Sequence, residues 1–326
     1  MIDQPGAQAG SPTLTDDDMP PLFHHADQRA IKAQNRFFSW LSWELVLLGL
    51  GVLVGTLSGV KSIGPVPLVL PSFTVAGLPV KDLSDFEVAE AALLAVALIM
   101  RVIRVTTQPE KLWYEARAVA ESVKSIAWRY AVGGEPFQKA RTDEALSVIV
   151  SDRFNGIRID LSKYKAPEAI AQQHQVTSAM RAVRALPLDD RKRIYRTDRV
   201  VDQQGWYTRK SAFNKGRARL AHGVLILVEV LAVCAPLLPI ALTALHVYPL
   251  NLQSLLANVA GGGVAWMQSK RYEDLTASYS VTARELKQVA LDIDKIEAES
   301  DWARFVENAE GAMSREHQLW RATRVD

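Results

Sequence analysis

The sequence predicts an all-α membrane protein with four transmembrane helices in two hairpins and long cytoplasmic helical, coiled-coil extensions. Three observations carry that prediction. Leu220 to Met267 holds one formal charge, Glu229, and Val230 to Ser269 holds none. A helix needs about 20 apolar residues to cross roughly 30 Å of hydrocarbon, and this stretch supplies two such lengths around a turn at His246-Val247-Tyr248-Pro249. Basic residues stand just outside it, with Arg209, Lys210, Lys215, Arg217 and Arg219 before and Lys270 and Arg271 after. Downstream, apolar residues recur at the spacing of a coiled-coil seam. A soluble hairpin would alternate with polar faces, and this one does not.

Bulk composition leaves room for that class without revealing it. The 326 residues can hold two domains. A net charge of +2 and a mean hydropathy near zero average very apolar blocks against very charged ones. The one cysteine, Cys234, has no partner for an intramolecular disulfide and reads as a small buried hydrophobe. The six histidines form no ligand cluster.

Taken in order, residues 1–26 are expected to be a disordered tail, rich in Pro, Gly, Ser, Thr and Asp and without the pattern of a signal peptide. Residues 27–165 form a first two-span module, 166–205 a cytoplasmic helical linker, and 206–326 a second module ending in a cytoplasmic helical hairpin. In the first module Arg29, Lys32 and Arg36 precede Phe37, Phe38, Trp40 and Trp43, an aromatic belt for a membrane surface. The first span covers about 43–60. Lys61 to Phe86 is broken by Pro65, Pro67, Pro71 and Pro79 and is read as an extended loop on the far side. The second span, about 88–105, has Glu90 at one end and Arg101 and Arg104 at the other, where both arginines can snorkel. The third and fourth spans cover about 220–245 and 249–268.

With four spans, every cluster of Lys and Arg flanking them falls on one side. The opposite side carries only Lys61 and Lys81, set against Asp82 and Asp85. The positive-inside rule then puts both termini and the long central segment in the cytoplasm.

After the second span, Trp113, Ala116, Ala120, Val123, Ala127 and Tyr130 recur at alternating steps of three and four. After the fourth, Tyr272, Leu275, Tyr279, Thr282, Leu286, Val289, Ile293 and Ile296 do the same. Ser300-Asp301 starts a last helix striped by Trp302, Val306, Ala309, Met313 and Trp320. The two halves share one plan, a hairpin followed by a heptad helix with aromatics near the membrane, which points to internal duplication. Trp113, Tyr130, Tyr272, Tyr279, Leu286, Trp302 and Trp320 are the residues expected to carry cytoplasmic packing and assembly. Between the halves, Gly133-Gly134-Glu135-Pro136 ends the first heptad helix. Thr142-Asp143 starts another, Ala166 to Leu186 forms a further one, and Pro187 opens a long helix into the third span.

From Arg181 to Arg219 there are twelve Lys and Arg against four Asp. Such an excess reads either as a site for a nucleotide, RNA or acidic partner or as a solvated face beside anionic lipid. There is no base-stacking platform, so nucleic acid is not expected. Phosphate loops, metal-ligand spacings and nucleophile elbows are also missing, so no catalytic, cofactor-binding or metal residue is assigned and the chain is not expected to be an enzyme. The polar residues within the spans, Glu229, Asn251 and Asn258, are candidates either for interhelical hydrogen bonding or for lining a pore.

Trp113-Tyr114, Arg117, Ala120-Glu121, Lys124 and Trp128-Arg129-Tyr130, directly after a hairpin, resemble one branch of the SLATT family, the SMODS- and SLOG-associating two-transmembrane effector domains of bacteria. Arg271-Tyr272, Leu275, Tyr279 and Leu286, followed by Trp302, Phe305-Val306, Glu310, Glu316 and Trp320, resemble another branch. The resemblance covers about residues 30–155 and 205–322. It implies two modules fused in one chain and acting as a membrane effector of anti-phage conflict systems. Such an effector is expected to form pores as a homo-oligomer in membrane lipid. The resemblance also implies a trigger, from a nucleotide-signalling partner protein or a nucleotide second messenger.

Overall fold

A computed structural model describes residues 12–58, 74–75, 78–79, 85–138, 148–149, 152–153, 156, 163–237 and 252–322. These residues are helical apart from connecting turns and one two-residue antiparallel ladder, in which β1 (Thr74–Val75) pairs with β2 (Leu78–Pro79). The helices are α1 (Pro21–Ser58), α2 (Asp85–Thr107), α3 (Pro109–Val132), α4 (Glu168–Ala171), α5 (Ser178–Ala185) and α6 (Leu188–Ile194). After α6 come a π-helical turn at Tyr195–Val201 and then α7 (Asp202–Cys234), α8 (Leu252–Lys270), α9 (Tyr272–Asp292) and α10 (Glu299–Ala322).

Two compact units form, each from separate stretches of chain. Unit 1 comprises Met1–Gln34, Glu110–Ala212 and Thr276–Asp326; unit 2 comprises Asn35–Pro109 and Phe213–Leu275. Compact units therefore do not follow modules laid end to end, because each half of the chain contributes to both.

Unit 1 is a helical core. The predicted heptad positions Ala116, Ala120, Val123 and Ala127 of α3 are fully buried there, as are Leu286 and Ile293 after them. Seams of this spacing can pair chains as coiled coils. Here they are consumed inside the chain's own core, together with Trp302 and Val306 of α10. The expected coiled-coil extension is thus an intramolecular bundle.

The expected disordered tail is corrected for residues 12–26. Leu14, Met19, Leu22, Phe23 and Ala26 are all buried in unit 1. Thr15 and Asp18 form a capping box, the Thr15 N–H and hydroxyl both donating to the Asp18 carboxylate at 2.9 and 2.8 Å. Pro21 then opens α1 at the position where a missing N–H has no intrahelical role. Long-range bonds fix the segment: the Leu14 N–H donates to Asp198 at 3.2 Å and the Thr177 hydroxyl to the Asp18 carbonyl at 2.9 Å. The expected helix over 166–186 is also corrected, because only α4 and α5 form. Thr177 caps α5 by accepting from the Met180 N–H. The helix expected at Thr142-Asp143 lies outside the described residues.

Unit 2 contains the described parts of all four expected spans. Among the described residues a single helix, Pro21–Leu57, is long and apolar enough to cross a membrane. The others are diluted by Glu90, Arg101 and Arg104 in α2, by Glu229 in α7, and by Gln253, Asn258 and Gln268 in α8. The turn at His246–Pro249 lies outside the described residues.

The duplication has a backbone counterpart. Gln108 separates α2 from α3 at φ 48°, and Arg271 separates α8 from α9 at φ 50°. Each donates its N–H to the carbonyl four residues back, Arg104 at 3.1 Å and Met267 at 2.9 Å. A left-handed residue closing a helix this way is the αL stop. Both halves therefore leave the hairpin through the same device.

Candidate functional site

In unit 1 the polar chemistry gathers at the π-helical turn. A π-turn inserts a residue into an α-helix and is frequent at functional sites. Here it brings Tyr195 and Arg199 to the buried side. The Arg199 guanidinium donates through Nε and Nη2 to the two carboxylate oxygens of Glu310 at 2.9 and 2.8 Å. The Tyr195 hydroxyl donates to the same carboxylate at 3.0 Å. Burial, and then the Glu310 charge, push the Tyr195 phenol well above its ordinary range, so it stays a donor. For Arg199, burial pulls downward but the Glu310 charge and hydrogen bonds outweigh it, and the guanidinium stays charged. Its Nη1 is buried with no hydrogen-bond partner among the described residues.

Two more arginines close the end of α3. The last carbonyls of a helix have no intrahelical partner. Arg184 donates to Tyr130 and Phe137 carbonyls at 2.7 and 2.9 Å, and Arg191 to those of Val132 and Leu186 at 2.6 and 3.1 Å. Arg191 also pairs with Glu299, and the Trp302 indole donates to the Val132 carbonyl at 2.8 Å. Gly133 permits this approach. It sits at φ 78°, and a Cβ there would lie 2.7 Å from Arg191 Nη1. The basic run is thus corrected in part: Arg184, Arg191 and Arg199 are core residues rather than members of a surface patch.

The predicted packing residues divide accordingly. Tyr130 is buried under the Arg184 guanidinium, 4.9 Å from its ring centre. Leu286 and Trp302 are core residues. Tyr279 is half-buried against Trp206 and Tyr207, with ring centres 5.5 and 5.4 Å apart. Trp113 is half-buried and stacks on Tyr114, while Tyr272 is half-buried at the start of α9. The Trp320 side chain lies outside the described residues. Composition gave no hint of the Arg199–Glu310 pair, since its partners stand 111 positions apart.

In unit 2, Glu44 of α1 is buried and accepts from Arg104 Nη2 and Nε of α2 at 2.8 and 3.1 Å. The arginine expected to snorkel therefore pairs within the hairpin, while Arg101 is exposed. Close contact between α1 and α2 relies on small residues, since a Cβ on Gly51 would meet Leu94 Cδ2 at 3.0 Å. Phe38 and Trp266 meet edge to face at 5.8 Å, with the Lys270 ammonium 3.2 Å from the Phe38 ring centre.

Of the polar span residues, Asn258 is half-buried, its Oδ1 3.9 Å from where a Gly49 Cβ would stand. Glu229 faces outward on α7 rather than into the helix packing. Asn251 lies outside the described residues. Cys234, expected to be buried, is exposed.

Around these residues the helices present a broad apolar exterior. Leu98, Ile99, Val102 and Val105 of α2 and Leu220, Ile226, Leu227 and Val233 of α7 are all exposed. Contiguous apolar surface of this kind marks a membrane or protein contact. Among the described residues no three His, Cys, Asp or Glu side chains gather as metal ligands would.

Comparison with known proteins gives two consecutive matches. The family model of the SMODS and SLOG-associating 2TM effector domain 3 matches residues 20–192, and that of the SMODS and SLOG-associating 2TM effector domain 1 matches residues 195–320. No curated protein and no solved structure matches the chain. The junction between the matches falls at the start of the π-turn, and the Arg199–Glu310 and Trp302–Val132 contacts both belong to unit 1. A hairpin, an αL stop and a heptad helix occur once in each matched region. The chain therefore belongs to the SLATT family of two-transmembrane effector domains linked to conflict systems, with two of these domains in tandem.

Proposed function

We propose that this chain is an oligomeric, pore-forming effector of the bacterial inner membrane, acting in a nucleotide-linked anti-phage system. Its two hairpins supply four spans, with both termini cytoplasmic. A nucleotide second messenger or a nucleotide-signalling partner protein, acting on the cytoplasmic helices, rearranges the hairpins into a conducting state. The chain acts by permeation and not as an enzyme.

The observation that carries this reading is the apolar exterior of α2 and α7, within a tandem of effector domains whose family description is two-transmembrane. Four spans from one chain are too few to enclose a wide channel, so conduction requires several copies. Because the heptad faces are consumed in unit 1, assembly falls to the exposed helix faces of unit 2.

Liposomes loaded with a self-quenched dye test it. Leakage that rises more than linearly with protein density, and further with a triggering nucleotide or partner, supports it; no leakage with any candidate trigger overturns it. A non-conducting membrane scaffold or sensor is the second reading. It is favoured by the concentration of buried polar chemistry in unit 1 rather than along the apolar helices. A stoichiometric cytoplasmic partner without ion current would select it.

A further inference from the structure

Within unit 2 a cleft of about 450 Å³ opens between the start of the apolar part of α7 and the end of α8. That volume lies in the range of small-ligand sites, about 300–1,000 Å³. Its lining combines apolar Leu225, Val264 and Met267 with His222, Arg271, Glu273 and Asp274, which bring both signs of charge. We propose that this cleft seats the headgroup of a zwitterionic phospholipid bearing a primary ammonium, as in phosphatidylethanolamine. The inference rests on the reading that α7 and α8 lie in a bilayer.

Three features select that occupant. The cleft stands where the charge-free stretch ends at Ser269 and Lys270-Arg271 begins, which is the depth of phospholipid headgroups. Arg271, at its positive φ, donates through Nε to Asp274 at 2.7 Å, so these two charges are paired and Glu273 is the carboxylate outside that pair. The His222 Nδ1 lies 2.9 Å from the Ala218 carbonyl, which can only accept, so Nδ1 carries the proton. The Nη groups of Arg271, which the Asp274 bond does not use, are the donors placed for the phosphate. Glu273 is exposed, its carboxylate 3.9 Å from His222 Nδ1, and is placed to accept from an ammonium. A primary ammonium offers three N–H donors to a carboxylate, whereas a choline headgroup offers none, and an anionic glycerol headgroup brings no cation to Glu273. The acyl chains then run along Leu225 and Val264.

The test uses the full-length protein in detergent, with phosphatidylethanolamine, phosphatidylcholine and phosphatidylglycerol added in turn and bound lipid read by native mass spectrometry. Wild type is expected to hold phosphatidylethanolamine about tenfold more tightly than phosphatidylcholine. Glu273→Gln should remove most of that preference, and Glu273→Lys should reverse it toward phosphatidylglycerol. Free phosphate and glycerophosphoethanolamine should not compete. Equal retention of all three lipids by wild type, or an unchanged preference in Glu273→Lys, overturns the proposal. Carbonate washing of the source membranes separates the two failures. A protein that resists washing but shows no headgroup preference loses only this site, whereas one released by washing loses the membrane reading itself.

Discussion

Arg199 and Glu310, 111 positions apart, form a two-bonded ion pair in the core of unit 1, with both side chains almost fully excluded from solvent. It joins the π-turn to α10. Breaking such a pair from one side leaves a buried charge without a partner, at a cost of about 3–5 kcal/mol, whereas replacing both partners by apolar side chains is often neutral. Glu310→Leu should therefore strongly lower the thermal unfolding midpoint followed by tryptophan fluorescence. The Arg199→Met/Glu310→Leu double variant should recover part of the loss, the buried Tyr195 hydroxyl being left without its acceptor. Equal destabilisation by the single and double variants would contradict this account.

The Trp302 indole supplies both packing and a hydrogen bond to the Val132 carbonyl. Trp302→Phe keeps most of the ring volume and leaves the Val132 carbonyl its bond from Arg191, so it is expected to cost about 0.5–1.5 kcal/mol, the net worth of one hydrogen bond. Trp302→Ala adds a cavity and should cost roughly 3–5 kcal/mol. Denaturant midpoints at constant slope would measure the difference.

Burial, with Arg29 and Lys32 nearby, holds the His25 imidazole below its ordinary value of 6.5. A depressed folded-state value means that the unfolded chain binds the proton more readily. The contribution is therefore fully present above about pH 6.5 and is lost as pH falls through 6.5 toward the lowered value. Amide exchange over the first turns of α1 should accelerate from pH 7.5 to pH 5.5, after correction for intrinsic rates. His25→Gln should abolish that extra acceleration.

Gln108 holds a positive φ that costs an L-residue about 1–2 kcal/mol. Gln108→Gly should relieve that strain but raise the entropy of the unfolded chain, giving a net stabilisation of a few tenths to about 1 kcal/mol. Gln108→Val should destabilise. A thermal midpoint that moved in the opposite sense for both would show that the turn is not held as described.

Local periodicity made much of this fold legible. Ala116, Ala120, Val123 and Ala127 were on the buried face because a 3.5-residue repeat defines a face whatever covers it. The same repeat cannot say whether the covering helix belongs to another chain, and here it belongs to this one. Residues 1–26 read as a disordered tail because Leu14, Leu22 and Phe23 are spaced among polar residues, and their partners lie far along the sequence. Arg184, Arg191 and Arg199 resembled a basic surface for the same reason. What neutralises them is the end of α3 and two carboxylates more than 100 positions away. Arg104 was placed at a membrane surface, and periodicity alone did not show Glu44 as its partner.

The central claim is that both apolar hairpins lie in lipid and leave the rest of the chain on one side. Single-cysteine variants in a Cys234→Ser background, labelled on intact spheroplasts with a membrane-impermeant maleimide, test it directly. Lys81→Cys and Val247→Cys should label from outside, while Lys165→Cys and Ala322→Cys should label only after permeabilisation. Labelling of Ala322→Cys on intact cells, or protection of both Lys81→Cys and Val247→Cys, would contradict the account.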